Sequence, residues 1–225
     1  MPDPGSTGPA PRWPVVLWDL DGTLVDTIGL IVASYQHAFT TVLGHPWDED
    51  EIKSWIGQSL YGAMKRVAPA EADEIFRVYT EWNVANTPRM VKAYPGIPEL
   101  VRSIVQTGVR TGVVTSKRQQ PAEWALELVG LDGQVPVLVS HDDVEQHKPS
   151  PEPLLLGAQR LGVEAADCVY VGDAAVDVQA ARNAGMACVA VTWGAGRPED
   201  IAAAGPDVTC HSVADLRSVL LGGGG

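Results

Sequence analysis

From Tyr94 onward, short valine-rich runs alternate with longer stretches whose apolar residues recur every three or four positions. The first pattern suits strands and the second suits helices, because one face repeats every second residue on a strand and about every 3.6 on a helix. The spacing predicts a helix near 97–106, a strand at 109–115, a helix near 119–129 and a short strand at 135–139. A helix after Pro151, a strand at 168–171, a helix at 176–184, a strand at 187–191 and a last strand and helix within 207–220 complete the series. Strands joined through helices of this length form a parallel sheet covered on both faces. The expected fold class is therefore α/β, with a Rossmann-like doubly wound parallel sheet as core.

One strand precedes this series, in the apolar run Trp13 to Trp18, and a block from 28 to 92 interrupts the rhythm after it. Ile28, Ile31, Val32, Tyr35, Ala38 and Phe39 fall at helical steps, and Trp55, Ile75, Phe76, Tyr79 and Trp82 suit further amphipathic helices punctuated by Pro46, Gly57 and Pro69. The expected organisation is a discontinuous core, 13–27 plus 93–221, carrying an inserted all-helical cap at 28–92. The linkers fall near Asp26 and Ala93, and Asp26 is expected to cap the first helix of the insertion. The Pro- and Gly-rich segment 1–12 reads as a disordered tail without the features of a secretory signal, and 222–225 as a flexible end.

Ligands of open α/β sheets sit beyond the carboxyl ends of the strands, so polar residues there carry the functional signal. The first strand ends in DLDGT, which sets Asp19 and Asp21 two positions apart and on one face while the backbone stays extended. Two neighbouring carboxylates repel unless a divalent cation or a shared proton neutralises them. Later strand ends add Thr115, Ser116 and Lys117, then Lys148 in HKPSPEP, then Gly172, Asp173 and Asp177 in VGDAAVD.

Composition narrows the partners. With 28 acidic and 16 basic residues the net charge is −12, and no basic run offers a nucleic-acid surface. No apolar run is long enough to span a bilayer. Cys168, Cys188 and Cys210 lack metal-ligand spacing and read as buried reduced thiols, so a cytoplasmic location is expected. His37, His45, His141, His147 and His211 likewise lack ligand spacing. Sequence leaves monomer and homodimer equally open.

In their joint order these motifs resemble the haloacid dehalogenase-like hydrolase superfamily across nearly the whole core. The helical insertion after the first motif is similar to the small cap of its phosphoglycolate phosphatase-like branch. YPGI at 94–97, TSK at 115–117, KPSPEP at 148–153 and VTWG at 191–194 also match that branch. The resemblance implies that Asp19 is a nucleophile forming an aspartyl-phosphate and that Asp21 is the general acid and base. It implies Mg2+ on the Asp19 carboxylate, the Asp21 backbone carbonyl and the Asp173 carboxylate. Asp177 would act through water, or would simply be an acid suited to the first turn of a helix. Thr115 and Lys148 would meet the phosphoryl oxygens, with Lys148 also holding Asp19 ionised. Gly22 would let the backbone approach phosphate, the Thr23 hydroxyl would orient the nucleophile, and Ser116 would donate to phosphate.

The resulting expectation is a Mg2+-dependent phosphatase acting on a small phosphorylated substrate such as phosphoglycolate. Pyrophosphate, a nucleoside monophosphate and a phosphosugar mutase reaction remain alternatives, and a non-catalytic binding protein is the reading from another class. Retention of both acids speaks against dehalogenation, which protonates no leaving oxygen and needs no metal. Core motifs do not identify the leaving group, which cap residues should recognise; Lys53, Gln58, Ser59, Arg66 and Arg89 are the candidates.

Overall fold

A computed structural model describes residues 12–222 of the chain. Apart from Arg12 and Gly222, the expected tails lie outside the described residues. Strand β1 (Val15–Trp18) runs through a tight turn into β2 (Val25–Asp26). Helices α1 (Ile28–Leu43), α2 (Glu49–Ser54), α3 (Leu60–Val67) and α4 (Ala72–Met90) follow, and the chain returns through β3 (Lys92–Ala93). Then come α5 (Ile97–Gln106), β4 (Arg110–Val114), α6 (Gln119–Leu128), β5 (Val137–Val139) and α7 (Glu152–Leu161). The chain closes with β6 (Cys168–Gly172), α8 (Ala175–Ala184), β7 (Ala187–Val191), α9 (Pro198–Ala204), β8 (Val208–Cys210) and α10 (Val213–Leu221).

Six strands form one parallel sheet in the order β5-β4-β1-β6-β7-β8, as the alternating pattern requires. Strand β1 lies inside it, and its residues alternate between two apolar layers. Val16 and Trp18 pack with Leu100 and Ile104 of α5, Leu126 of α6 and Leu216 of α10. Val15 and Leu17 pack with Leu154 of α7, Val178 of α8 and Ile201 of α9. Each large side chain so buried contributes about 1.5–3 kcal/mol, which makes the two layers the main support of the strand ends above them. The indole N–H of Trp18 donates to the Thr111 hydroxyl at 2.6 Å, and that hydroxyl donates to the Val16 carbonyl, so this buried polar edge is satisfied.

The insertion buries a third apolar cluster of its own, around Ile31, Tyr35, Phe39, Trp55, Met64 and Ile75. Tyr35 stacks on Phe39 and meets Tyr79 edge-on, with ring centroids 5.8 and 4.9 Å apart. Pro46, Gly57 and Pro69 fall between these helices, where the sequence pattern puts the breaks.

Three expectations are corrected. Asp26 does not cap α1: it sits in β2, opposite Lys92 of β3, so the two linkers pair as an antiparallel strap. The strand expected at 135–139 begins only at Val137, since Pro136 has no N–H to give the ladder. Helix α9 was not anticipated, because its seven residues, PEDIAAA, are too few and too alanine-rich to show apolar periodicity.

Candidate active site

The successors of β1 in the sheet lie on opposite sides of it, β4 on one and β6 on the other, which opens a crevice at its carboxyl end. The Asp19 N–H donates to the Val171 carbonyl at 2.8 Å and carries the β1–β6 ladder one residue past the strand. The chain then turns sharply, with the Leu20 carbonyl accepting from the N–H groups of Thr23, Leu24 and Val25. Gly22 sits in this turn at φ +83°, and a Cβ there would stand 2.5 Å from Asp173 Oδ2. Only glycine meets both demands.

Asp19, Asp173 and Asp177 are buried with carboxylate oxygens within 4.8 Å of one another. Lys148 lies among them, its Nζ 3.0 Å from Asp19 Oδ1 and 2.6 Å from Asp177 Oδ1, and it also donates to the Tyr170 hydroxyl at 3.1 Å. Burial opposes the charge on Lys148, but Asp177 and Asp19 outweigh it and hold the ammonium firmly protonated. Burial first, with repulsion from Asp177, pushes the Asp19 and Asp173 carboxyls well above the usual carboxylate range, against the opposing pull of Lys148. With all three ionised, the carboxylates would exceed the one ammonium by two negative charges, which is what holds two of the acids against losing their protons, and the donors are all hard oxygens. This donor set and charge fit a divalent cation such as Mg2+.

Asp21 occupies a different environment. Its carboxylate faces the cleft, accepts from the Thr27 hydroxyl at 2.7 Å, and receives the Lys117 ammonium at 2.9 and 3.1 Å. Its side chain is not among the three clustered acids. Two carboxylates set two residues apart are thus separated chemically, one buried in an acidic cluster beside Lys148 and the other part-buried at the edge of the cleft beside Lys117.

Thr115 is buried beside this site, and its hydroxyl accepts from the Lys117 N–H at 3.2 Å, leaving its own proton free to donate into the cleft. Thr23 does not contact the proposed nucleophile; its hydroxyl donates to Asp173 Oδ1 at 2.9 Å, because the turn carries residue 23 toward the end of β6. Ser116 does not point its proton at the cleft either, but donates to the Gly57 carbonyl of the insertion at 2.8 Å. Asp177 reaches the cluster directly: one oxygen pairs with Lys148, and the other accepts from the N–H groups of Asp173 and Ala174 at 3.1 and 3.0 Å. It is also an acid of the first turn of α8, as one of the two expectations for it holds. Reasoning from sequence missed the Ala195 N–H, which donates to Asp173 Oδ2 at 2.8 Å from the loop after VTW. It also gave no role to Thr27 or to the Lys117 ammonium.

A cavity of ≈ 200 Å³ opens on Asp19, Asp21 and Thr115 and is roofed by the insertion. Of the expected leaving-group contacts only Gln58 lines it. Lys53 pairs with Glu49, Ser59 caps α3, Arg66 lies over the Trp55 ring and Arg89 bonds Asn86.

Known proteins share this architecture. The family model described as Haloacid dehalogenase-like hydrolase matches residues 16–191. Pyrophosphatase PpaX of Bacillus cereus is 33% identical over 205 residues, covering 91% of this chain and 95% of the relative. The crystal structure of CbbY from Rhodobacter sphaeroides in complex with phosphate superposes with a TM-score of 0.78 at 25% identity, over 91% of this chain and 96% of that one. A predicted phosphoglycolate phosphatase from Haemophilus somnus superposes at 0.84, at 24% identity, over 92% and 97% of the two chains.

Proposed function

As the chain belongs to the haloacid dehalogenase-like hydrolase family and is a phosphatase, we propose that it hydrolyses a small phosphate monoester with Mg2+, through an aspartyl-phosphate formed on Asp19. The observation that carries this reading is the division of labour between two close carboxylates, Asp19 beside Lys148 and Asp21 beside Lys117. An oxygen of Asp19 attacks phosphorus while the bond from phosphorus to the ester oxygen breaks. Protonated Asp21 gives its proton to the departing alcohol; as carboxylate it then takes a proton from water, which attacks the same phosphorus and releases Asp19. Thr115 donates to a phosphoryl oxygen, and Lys148, 3.0 Å from Asp19 Oδ1, favours the ionised, nucleophilic carboxylate against the burial that opposes it.

Mg2+ would be held by the Asp19 and Asp173 carboxylates and the Asp21 backbone carbonyl, and when bound it offsets the negative charge spread over the phosphoryl oxygens. Asp177 supports that set through Lys148 and the Asp173 N–H. Phosphoglycolate and pyrophosphate, the substrates in the relatives' names, belong in the first assay panel beside nucleoside monophosphates. An apolar roof over the cleft supports hydrolysis over phosphosugar mutation, which needs polar contacts to hold a sugar between two transfers. The test is phosphate release from p-nitrophenyl phosphate with and without Mg2+, beside Asp19→Asn. Wild type should be active only with the metal and the variant inactive; metal-independent release, or none, would sink the reading.

A further inference from the structure

The cavity over Asp19 has an unusual lining for an enzyme whose relatives are named for small anionic substrates. On the cap side it is walled by Tyr35, Trp55, Tyr61, Phe76 and Tyr79, with Val84 beside them. Tyr61 meets Phe76 edge-on with ring centroids 5.7 Å apart, and its hydroxyl is turned away to Asp73. Tyr61 and Val84, 37% and 49% exposed, are two of the four large apolar side chains that remain exposed among the described residues, and both line this one cavity. Hydrophobic surface left open beside a reactive centre marks a place for an apolar ligand.

Charge points the same way. A carboxylate or a second phosphate entering this space must find a cation to replace its water. Two basic side chains reach the cavity, and both are engaged: Lys117 with Asp21 at 2.9 Å, and Arg118 with Asp142 at 3.6 Å while lying over the Phe76 face. His141 stacks on His147, and burial keeps it below its ordinary pKa, hence neutral at pH 7. The polar residues of the wall already donate within the cap: Gln58 to the Ser54 carbonyl, Thr80 to the Phe76 carbonyl, Asn83 to the Ser34 hydroxyl.

We propose that the leaving group is an uncharged aromatic alcohol, so that the preferred substrates are phosphate monoesters with one aromatic ring, not phosphorylated carboxylic acids or pyrophosphate. The ≈ 200 Å³ of space suits this, since an apolar cavity of about 150 Å³ is enough to take up benzene. This inference rests on the phosphatase reading and deepens it.

The test compares kcat/KM for benzyl phosphate, ethyl phosphate and 2-phosphoglycolate, all esters of aliphatic hydroxyls, with pyrophosphate alongside, at saturating Mg2+. Benzyl phosphate should exceed both other esters by roughly 10- to 100-fold, the range expected for burying a ring in an apolar pocket. Phe76→Leu should lower the benzyl rate by a larger factor than the ethyl rate and so narrow the ratio between the two esters. Val84→Lys, at an exposed position that can accept a lysine, should raise phosphoglycolate relative to benzyl phosphate by about tenfold through a new cation. Phosphoglycolate or pyrophosphate turned over at least as well as benzyl phosphate by the wild type would overturn the inference and leave the phosphatase reading intact. Hydrolysis of none of them, with p-nitrophenyl phosphate also left intact, would overturn both.

Discussion

At the scale of single residues, the site is built by giving similar groups different neighbours. Asp19 and Asp21 are the same residue type two positions apart, yet one meets a buried ammonium among carboxylates and the other a hydroxyl and an ammonium at the cleft. If Asp21 moves protons while only its backbone serves the metal, Asp21→Asn should leave Mg2+ affinity largely unchanged and lower kcat by about 10²-fold or more. The amide can still accept from Thr27, so the local structure should hold. Isothermal titration with Mg2+ beside steady-state kinetics checks this, and a parallel loss of metal affinity would refute the assignment. The candidate residues legible in the sequence stand at or soon after strand ends: Asp19, Asp21, Thr115 and Asp173, with Lys148 in the loop after β5 and Asp177 in the first turn of α8. What was not legible was whom each one touches. Lys117 reaches Asp21 across 96 positions and Thr23 reaches Asp173 across 150, and no local pattern records such pairings.

At the scale of elements, periodicity was informative in proportion to length. Helices of ten or more residues and strands buried on both faces follow the sequence pattern, whereas the two-residue strands β2 and β3 and the seven-residue α9 carry too few positions to show a period. The loop after β5 shows how such short pieces are fixed. Asp143 accepts from the N–H and hydroxyl of Ser140 at 2.8 and 2.7 Å and from Arg160 of α7 at 2.6 Å, so it ties the end of β5 to a helix behind the sheet. The hydrogen bond from Arg160, with those from Ser140, lowers its pKa to about 2 against the opposing effect of burial. A carboxyl whose folded pKa is depressed contributes stability above its unfolded pKa and loses it as pH falls through the folded one. Asp143→Asn should therefore cost on the order of 1 kcal/mol at pH 7, allowing for the partial exposure of the pair, and the difference from wild type should shrink from about pH 4 and vanish near pH 2. Urea unfolding across that range measures it; a deficit that persists unchanged at pH 2 would assign the effect to packing instead.

At the scale of the whole molecule, three apolar clusters divide the chain into a two-faced sheet and a helical insertion with its own core, joined by the β2–β3 strap. The hydrogen bond from Ser116 to Gly57 and the Arg118 contact with Phe76 are two of the ties that join the insertion to the core across the cleft. Where β1 and β6 end, three buried acids share one ammonium, and burial with mutual repulsion raises Asp19 and Asp173 well above the usual carboxylate range. Ionising this cluster costs stability that a bound cation would return. Asp19→Asn removes one of these acids while Lys148 retains Asp177 as its partner. In EDTA the variant should thus melt at the same temperature as wild type or a few degrees higher, although it should be catalytically inactive. Saturating Mg2+, at about 100 times its Kd, stabilises a protein by about 2.7 kcal/mol, or roughly 5–10 °C in a chain of this size. Wild type should show that rise and the variant much less of it, so the order of the two melting temperatures should invert on adding the metal. Differential scanning calorimetry of both proteins, with EDTA and with Mg2+, reads the inversion directly. An equal rise in the two would mean that Asp19 is not among the groups that hold the cation.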